Sequence, residues 1–144
     1  MSNLSDFINK FEVKSLSIHE TPFWTWSLRP TQPTLGASVI SLNHEASLLS
    51  DLHANESADL VKILALAQNR MLDRLLCQKV NIMMLMHFDT HLHFHVLPRY
   101  SKEQRMFGVD WKDTGWPGFP NGMSPGESIV ADAIRREIIA HLAS

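Results

Sequence analysis

Three alternating histidines, His91, His93 and His95, are the residues of this sequence best suited to chemistry. In a β-strand successive side chains point to opposite faces, so the three imidazoles share one face. The other face carries Leu92, Phe94 and Val96. We therefore predict a strand whose apolar face joins the core and whose histidine face forms a site.

Histidines on one face can perform nucleophilic catalysis. A neutral imidazole, with a pKa near about 6.5, is both basic and nucleophilic at neutral pH, and its attack on phosphorus forms a covalent phosphoramidate. One ring nitrogen must face the phosphorus while the other donates a hydrogen bond that fixes the tautomer. Neighbouring imidazoles can bind the phosphate oxygens. His93 has a histidine on each side, so it is the predicted nucleophile.

Two other interpretations of the histidine run stay open. Alternate histidines on a strand can place two imidazoles on one zinc ion, although a catalytic zinc site needs further ligands and Asp89 is the only acid nearby in the sequence. The run could also be exposed and without chemistry. Its strict alternation disfavours that interpretation, because exposed histidines have no physical reason to alternate.

Strands and helices must position these histidines. Short runs of β-branched and aromatic residues predict strands over residues 13–18, 23–28 and 36–42. A hairpin that turns at Asp89-Thr90 is predicted to join strands 80–88 and 91–97.

Helical periodicity and capping signals predict three helices. Apolar residues three and four apart predict a long helix over residues 55–78 and a short amphipathic helix over residues 5–12. The Ser124–Glu127 sequence has the pattern of a capping box with proline at the first helical position, which predicts a C-terminal helix from there to Leu142.

The order of these elements indicates the fold class. Most strands follow one another without an intervening helix, which favours an α+β fold over a doubly wound parallel sheet. We predict an antiparallel sheet of about five strands with a long helix packed on it and a C-terminal helix. A chain of 144 residues, 44% of them hydrophobic, suits a single domain over residues 1–144.

The composition argues against several classes of function. Thirteen basic and 15 acidic residues give a net charge of -2, so no strong field attracts the molecule to nucleic acid or to an anionic membrane. No run of about 18 apolar residues occurs, and residues 1–12 lack the apolar region of a signal peptide. The single cysteine, Cys77, suits a reducing compartment. We expect a cytoplasmic protein that binds neither nucleic acid nor membrane.

In its histidine run the sequence resembles the histidine-triad (HIT) family, whose signature is His, apolar, His, apolar, His, apolar, apolar. Here the signature reads His91-Leu92-His93-Phe94-His95-Val96-Leu97. The following Pro98-Arg99 resembles the branch of the family that hydrolyses dinucleoside polyphosphates. The resemblance extends more loosely over residues 24–99.

The resemblance implies a homodimeric α+β domain that binds a small-molecule nucleotide. It implies transfer of the α-phosphoryl group to the middle histidine and then to water. Carried over residue by residue, His93 is the nucleophile, His95 lies against the phosphate and His91 hydrogen-bonds in the same network. We expect neither a cofactor nor a metal.

Further residues are candidates for substrate contacts. His87 stands roughly where relatives carry an amide side chain that touches phosphate or the bridging oxygen, and a histidine at a hairpin edge is an equally good explanation. Arg29, Thr90 and Arg99 are weaker candidates for contact with base, ribose or phosphate, and the two arginines are equally well explained as surface charges. Phe11 is interpreted as core.

The sequence departs from the family pattern at Ala37. Many relatives have a histidine directly after a glycine on the third strand, and it hydrogen-bonds a triad histidine, whereas here Gly36 is followed by Ala37. His44 is expected to be an exposed residue near a helix start. The triad must therefore be supported differently, which puts the catalytic rate in question and leaves the nucleophile in place.

The glycine- and proline-rich stretch 101–123 predicts an ordered loop, and it contains Trp111 and Trp116. Stacking of a tryptophan on a base is one interpretation. Packing of the long loop is the preferred one.

Together these features predict a HIT-type nucleotide hydrolase or nucleotidyl transferase. It would cleave a phosphoanhydride or phosphoramidate bond at the α-phosphorus of a (di)nucleoside polyphosphate or a nucleoside phosphoramidate, through a covalent nucleotidyl-His93 intermediate. The alternatives are a nucleotide-binding protein with weak or no catalysis and a zinc-binding protein.

Overall fold

A five-stranded antiparallel sheet forms the centre of the structure, a computed structural model that describes residues 3–143. In chain order the strands are β1 (Ser17–Glu20), β2 (Trp24–Leu28), β3 (Ser38–Leu42), β4 (Lys79–Met83) and β5 (His93–Arg99). Across the sheet their order is β1-β2-β3-β5-β4, with every neighbouring pair antiparallel. The predicted α+β class with about five antiparallel strands is confirmed.

Helices flank the sheet. Within the described residues these are α1 (Asn3–Phe11), α2 (Ala54–Arg74), α3 (Asp132–Ala143) and one 3-10 turn at Leu49–Asp51. Within the predicted loop, the structure adds a small hairpin of β6 (Gln104–Met106) and β7 (Val109–Trp111). None of the helices in this part of the chain is long and apolar enough to cross a membrane.

One face of the sheet forms the main hydrophobic core with α2 and α3. The helices contribute Ile63, Ala67, Met71, Ile138 and Leu142. The three from α2 are four residues apart and so form one stripe along the helix. From the sheet come Trp24, Trp26, Leu28, Ile40, Leu42 and Val96. The apolar residues that alternate with the histidines therefore lie in the core, as the strand pattern predicts.

The opposite face of the sheet is covered by α1. Phe7 and Phe11 lie one helical turn apart and form a second buried cluster with Val13 and with Val39 of β3. Val39 pairs in register with His95 of β5. The short helix predicted over residues 5–12 is thus present as α1, and it lies over the histidine face.

The first strand begins later than predicted. The sequence favours a strand from residue 13, whereas β1 begins at Ser17. Glu12 ends α1 with a left-handed φ of 51°, and the amides of Val13 and Leu16 donate to the carbonyls of Ile8 and Glu12. The β-branched Val13 is therefore not part of a strand. It is buried in the cluster that also contains Phe7 and Phe11 of α1.

The two strands at the histidines are also shorter than predicted. β4 ends at Met83 instead of residue 88, and β5 begins at His93 instead of residue 91. The predicted antiparallel pairing of these two strands is confirmed, but the predicted turn at Asp89-Thr90 is wrong, because residues 84–92 form a longer connection. Met86 adopts a φ of 54°, which an extended strand cannot accommodate.

The predicted helix ends need two corrections. The Ser124–Glu127 contact forms, since the Ser124 amide donates to Glu127 Oε1 at 3.2 Å, but α3 begins only at Asp132. Gly126 and Ser128 have φ values of +84° and +59°, which prevent a right-handed helix there. Similarly, α2 ends at Arg74 rather than residue 78, because Leu76 has a φ of 58°.

Gly36 is required at the turn between β2 and β3. Its φ is +88°, and a Cβ atom there would lie 2.4 Å from Leu75 Cδ1 and 3.1 Å from Pro98 Cγ. We expect Gly36→Ala to lower the free energy of unfolding by about 2–4 kcal/mol, measured by urea denaturation.

Gly108→Ala is the matched control. Gly108 has a φ of +71° but no heavy atom within 4 Å of an added Cβ, so only backbone strain of about 1 kcal/mol is expected. Equal losses from the two substitutions would contradict the packing argument.

Candidate active site

The three histidines share the face beneath α1. His93 and His95 belong to β5, and His91 lies just before the strand. The residues are only 1% (His91), 2% (His93) and 7% (His95) exposed. Burial of an unpaired imidazole is costly, so the partners of each ring nitrogen determine its state.

His91 is anchored to β3. Its Nε2 lies 2.8 Å from the carbonyl oxygen of Leu42, and because a carbonyl only accepts, Nε2–H donates. Its Nδ1 is buried and has no hydrogen-bond partner among residues 3–143. The ring is therefore held as the Nε2–H tautomer, and the backbone of His91 is fixed with it.

His93 is held by the backbone of His91. Its Nδ1 lies 2.6 Å from the His91 carbonyl oxygen and must donate to it. Nε2 is therefore the unprotonated nitrogen of the neutral ring. No protein group among residues 3–143 hydrogen-bonds this Nε2, and His93 lines a cavity.

His95 takes the opposite tautomer. Arg29 Nη1 lies 3.1 Å from His95 Nδ1, and because a guanidinium only donates, Nδ1 accepts. The proton of the neutral ring is then on Nε2. The ring centroids of His93 and His95 are 5.0 Å apart with their planes nearly perpendicular, so two neighbouring rings hold opposite tautomers.

Two phenylalanines of α1 pack on these rings. The ring centroid of Phe7 is 4.7 Å from that of His93 and 5.4 Å from that of His91, and Phe11 stacks on Phe7 at 4.5 Å. These contacts cover part of the surface of the His91 and His93 rings. Phe11 is buried, as the sequence analysis expects, and it also lines the cavity.

Burial lowers the pKa of all three imidazoles. Desolvation is the largest cause at each ring. For His95 the nearby Arg29 cation and His93 act in the same direction, and its pKa falls to about 3. For His91 and His93, hydrogen bonds to backbone carbonyls oppose the shift, and their pKa values remain lowered. All three rings are neutral at pH 7, the state in which His93 can act as a nucleophile.

The cavity has a volume of about 400 Å³, which is in the range of small-molecule sites. His93, His95 and Arg29 are among the residues that line it. Its apolar walls include Phe11, Leu85, Met86, Phe88 and Met123. They come from the end of α1, the 84–92 connection and the segment before α3, so the cavity is built from three separate parts of the chain.

An ion pair connects two of these walls. Lys10 Nζ of α1 lies 3.0 Å from each carboxylate oxygen of Asp89 in the 84–92 connection. Sequence reasoning missed Lys10 because nothing local relates residues 79 positions apart. It also missed Met123, Ser124 and Pro125, which it assigned to a loop end and a helix start.

The predicted substrate residues are dispersed. Arg29 and His87 line the cavity, whereas Thr90 is exposed and does not line it. His44, expected to be exposed, is exposed and contacts Glu56 of α2.

Arg99 lies outside the cavity. It is 3% exposed, and its Nε donates to Asp113 Oδ2 at 2.7 Å. Its two Nη atoms donate to Asn81 Oδ1 at 2.8 Å and to the Gly118 carbonyl at 2.7 Å. Arg99 is therefore neither a surface charge nor in contact with the cavity, and it fastens the 113–118 loop to the sheet.

The tryptophans of that loop pack within the protein. Trp111 Nε1 donates to the Met106 carbonyl at 3.0 Å, and the Trp116 ring centroid is 6.0 Å from Arg99 Cζ. Neither tryptophan lines the histidine cavity. The preferred packing interpretation thus agrees with the contacts of both rings.

Among residues 3–143 no group of three or more His, Cys, Asp or Glu side chains is arranged to hold a metal ion. Nδ1 of His93 and Nε2 of His91 already donate to carbonyl oxygens. The Arg29 cation beside His95 would also repel a second cation.

The lowered pKa of His95 links stability to pH. The unfolded chain binds a proton at this group near pH 6.5 and the folded chain near pH 3, so its contribution to stability is complete above pH 6.5 and is lost as pH falls to about 3. We expect this group to lower the free energy of unfolding by up to ~1.4 kcal/mol per pH unit in that window.

Urea denaturation of the wild type and of His95→Gln between pH 6.5 and 4 would measure this contribution. The variant should lose stability less steeply, because it lacks the titrating ring. Parallel losses in the two proteins would contradict the expectation.

No protein-family model matches the sequence, and no curated protein is significantly similar to it. Solved structures, however, match the whole fold. A HIT-like protein involved in cell-cycle regulation from Bartonella henselae has a TM-score of 0.70 and 15% identity, covering 99% of this chain and 93% of that protein. A histidine-triad protein from Marinobacter aquaeolei VT8 has a TM-score of 0.72 and 16% identity, covering 91% and 89%.

A third match is a hypothetical histidine triad nucleotide-binding protein from Sulfolobus tokodaii strain 7. Its TM-score is 0.69 and its identity 14%, with coverage of 98% of this chain and 88% of that protein. Identities this low concern the fold alone. The chain has the α+β fold of the histidine-triad proteins.

Proposed function

We propose that the protein is a nucleotide hydrolase or nucleotidyl transferase that acts at an α-phosphorus through His93. One observation carries the proposal: His93 Nδ1–H donates to the His91 carbonyl at 2.6 Å, which leaves Nε2 unprotonated in a ring that lines a cavity. A neutral imidazole with one nitrogen fixed and the other free is what attack on phosphorus requires. The structural similarity to a protein described as nucleotide-binding supports this choice of substrate.

The reaction has two steps. In the first, the Nε2 lone pair of His93 forms a bond to the α-phosphorus while the bond from phosphorus to the leaving group breaks. The leaving group departs with that electron pair and takes a proton from solvent. In the second step water attacks the phosphorus, the N–P electron pair returns to Nε2, and a nucleoside monophosphate and a proton are released. A different acceptor in place of water makes the same reaction a transfer.

Each triad residue has a separate task in this scheme. The phosphorylated ring of His93 becomes an imidazolium whose Nδ1–H stays on the His91 carbonyl oxygen, which stabilises the new charge. His95 Nε2–H donates to a phosphoryl oxygen, where negative charge develops during transfer. His91 holds its own backbone in place through Leu42.

The charges around the cavity favour a phosphoramidate over a polyphosphate substrate. Lys10 is paired with Asp89, so Arg29, which donates to the neutral His95, is the one lysine or arginine of the described cavity lining whose charge no carboxylate neutralises. A polyphosphate leaving group carries several negative charges that need free cations. The apolar walls at Leu85 and Phe88 suit an uncharged leaving group, with His87 beside it.

The test is a panel of nucleoside phosphoramidates, acyl adenylates and dinucleoside polyphosphates, followed by an alkaline quench and intact-mass analysis. The wild type should gain the mass of a nucleoside monophosphate. His93→Ala and His93→Gly should lose turnover by at least about 10⁴-fold and form no adduct, because the nucleophile is gone, and should still bind nucleotide. His19→Ala, a histidine of β1 outside the cavity, is the matched control and should retain activity.

Other outcomes would redirect the assignment. Turnover by His93→Ala would overturn the covalent mechanism. Nucleotide binding by the wild type without turnover or adduct would support a binding protein instead, which the absence of a histidine at Ala37 motivates. Stoichiometric zinc in protein purified without a histidine tag would support the zinc interpretation.

We also propose that the protein is a homodimer. β4 is an edge strand of the five-stranded sheet, and its Ile82 is 40% exposed. An exposed strand edge of this kind pairs readily with a second copy.

Light scattering should give the mass of two chains for the wild type and of one chain for Ile82→Glu. Ile129→Glu is a control at an exposed apolar residue outside the sheet, and it should remain dimeric. A monomeric wild type would contradict the proposal.

A further inference from the structure

Arg29 is a buried cation without a carboxylate partner. It follows β2, it is 7% exposed, and among residues 3–143 no carboxylate oxygen lies within 4.0 Å of its guanidinium. Burial lowers its pKa, and the distant charge of Asp89 only partly opposes that effect. A charge in such a place is costly, and buried charges in proteins normally have a defined role.

The guanidinium of Arg29 contacts three side chains. Nη1 donates to His95 Nδ1 at 3.1 Å, and Nη2 donates to Thr31 Oγ1 at 3.4 Å. The guanidinium carbon lies 6.0 Å from the ring centroid of Phe11, and Nε has no partner. The shortest and most buried of these contacts is the one to the imidazole.

The backbone around Arg29 is fixed by hydrogen bonds. The Arg29 amide donates to the Ala37 carbonyl at 2.9 Å, which continues the β2–β3 ladder by one pair. The side-chain amide of Gln32 donates to the carbonyls of both residues at 2.9 Å and accepts from the Gly36 amide at 2.8 Å. These hydrogen bonds hold the backbone at Arg29 in place.

Ala37 leaves space for the arginine to reach across the sheet. Paired residues on one face have Cβ atoms about 5 Å apart. Ala37, the residue before β3, lies opposite Arg29, and continuing the β3–β5 register by one residue places it beside Leu97 of β5, two residues after His95. A methyl group at position 37 lets the guanidinium pass to His95.

We propose that Arg29 is the positioning residue of the triad: its guanidinium holds His95 as the neutral Nε2–H tautomer, with its N–H donor available to the cavity. Since arginine has donors only, His95 Nδ1 can only accept, and one tautomer is imposed. The cation also polarises the ring, which makes Nε2–H a stronger donor. Unlike a histidine in this role, arginine keeps its proton at every working pH.

The part of this inference that concerns transfer rests on the proposed function, whereas the tautomer does not. Nitrogen NMR of the wild type without substrate tests the tautomer directly. His95 should show an unprotonated Nδ1 and a protonated Nε2, with a scalar coupling across the Arg29 Nη1–H···Nδ1 hydrogen bond. A protonated Nδ1 in the wild type would overturn the proposal before any variant is made.

Variants then separate positioning from substrate binding. Arg29→Met should remove the coupling, leave His95 as a mixture of tautomers and lower kcat by roughly 10- to 100-fold with a smaller change in KM. Arg29→Lys keeps the charge and a donor, so it should recover part of kcat and of the tautomer preference. If Arg29→Met does not fold, Arg29→Lys and the wild-type spectrum still test whether Arg29 sets the tautomer of His95.

Arg70→Met is the matched control. Arg70 is a partly buried arginine of α2 that donates to the Leu142 carbonyl at 3.0 Å, far from the histidines. It should lose stability without any change in the His95 spectrum. An Arg29→Met protein with an unchanged tautomer and a raised KM alone would identify Arg29 as a phosphate-binding residue and refute positioning. If the wild type shows the expected His95 spectrum but no turnover, the tautomer proposal is supported and the proposed enzymatic function is refuted.

Discussion

Burial of three imidazoles under α1 is the constraint on which the site depends. Because the rings of Phe7 and Phe11 pack against the imidazoles, burial favours the neutral form of each, and one nitrogen of each ring bonds to the protein. Two backbone carbonyls and one guanidinium meet that need for His91, His93 and His95. The three partners differ, and so do the free nitrogens: a base at His93 and a donor at His95. The division of labour within the triad follows from its partners rather than from the identical side chains.

The framework around the site keeps these partners in register. β3 lies between β2 and β5, so it presents the Leu42 carbonyl to His91, and Ala37 just before it presents its carbonyl to the amide of Arg29. On the far side of β5, Arg99 fastens the 113–118 loop through Asp113. The buried arginines Arg29, which follows β2, and Arg99 of β5 thus organise the protein, one at the histidines and one at a supporting loop.

Local patterns were enough to predict the fold class and the histidine face. A period of two in the strand and a period near four in α2 are properties of adjacent residues, and the structure confirms the α+β sheet they indicate. The same reasoning failed where a local signal has two structural outcomes. The Ser124–Glu127 contact forms at a turn as readily as at a helix start. Here it belongs to a turn, because Gly126 and Ser128 have left-handed φ values. The Arg29–His95 contact joins residues 66 apart and has no sequence pattern, so only the folded chain reveals it.

The position of α1 has a practical consequence for handling the protein. Residues 3–11 form the helix that covers the catalytic candidates, so an expression vector that trims or replaces them alters the site itself. Trimming them would hydrate the imidazoles and remove a wall of the cavity together with the Lys10–Asp89 link. Inactivity of a preparation that lacks α1 would therefore say nothing about the chemistry of the triad.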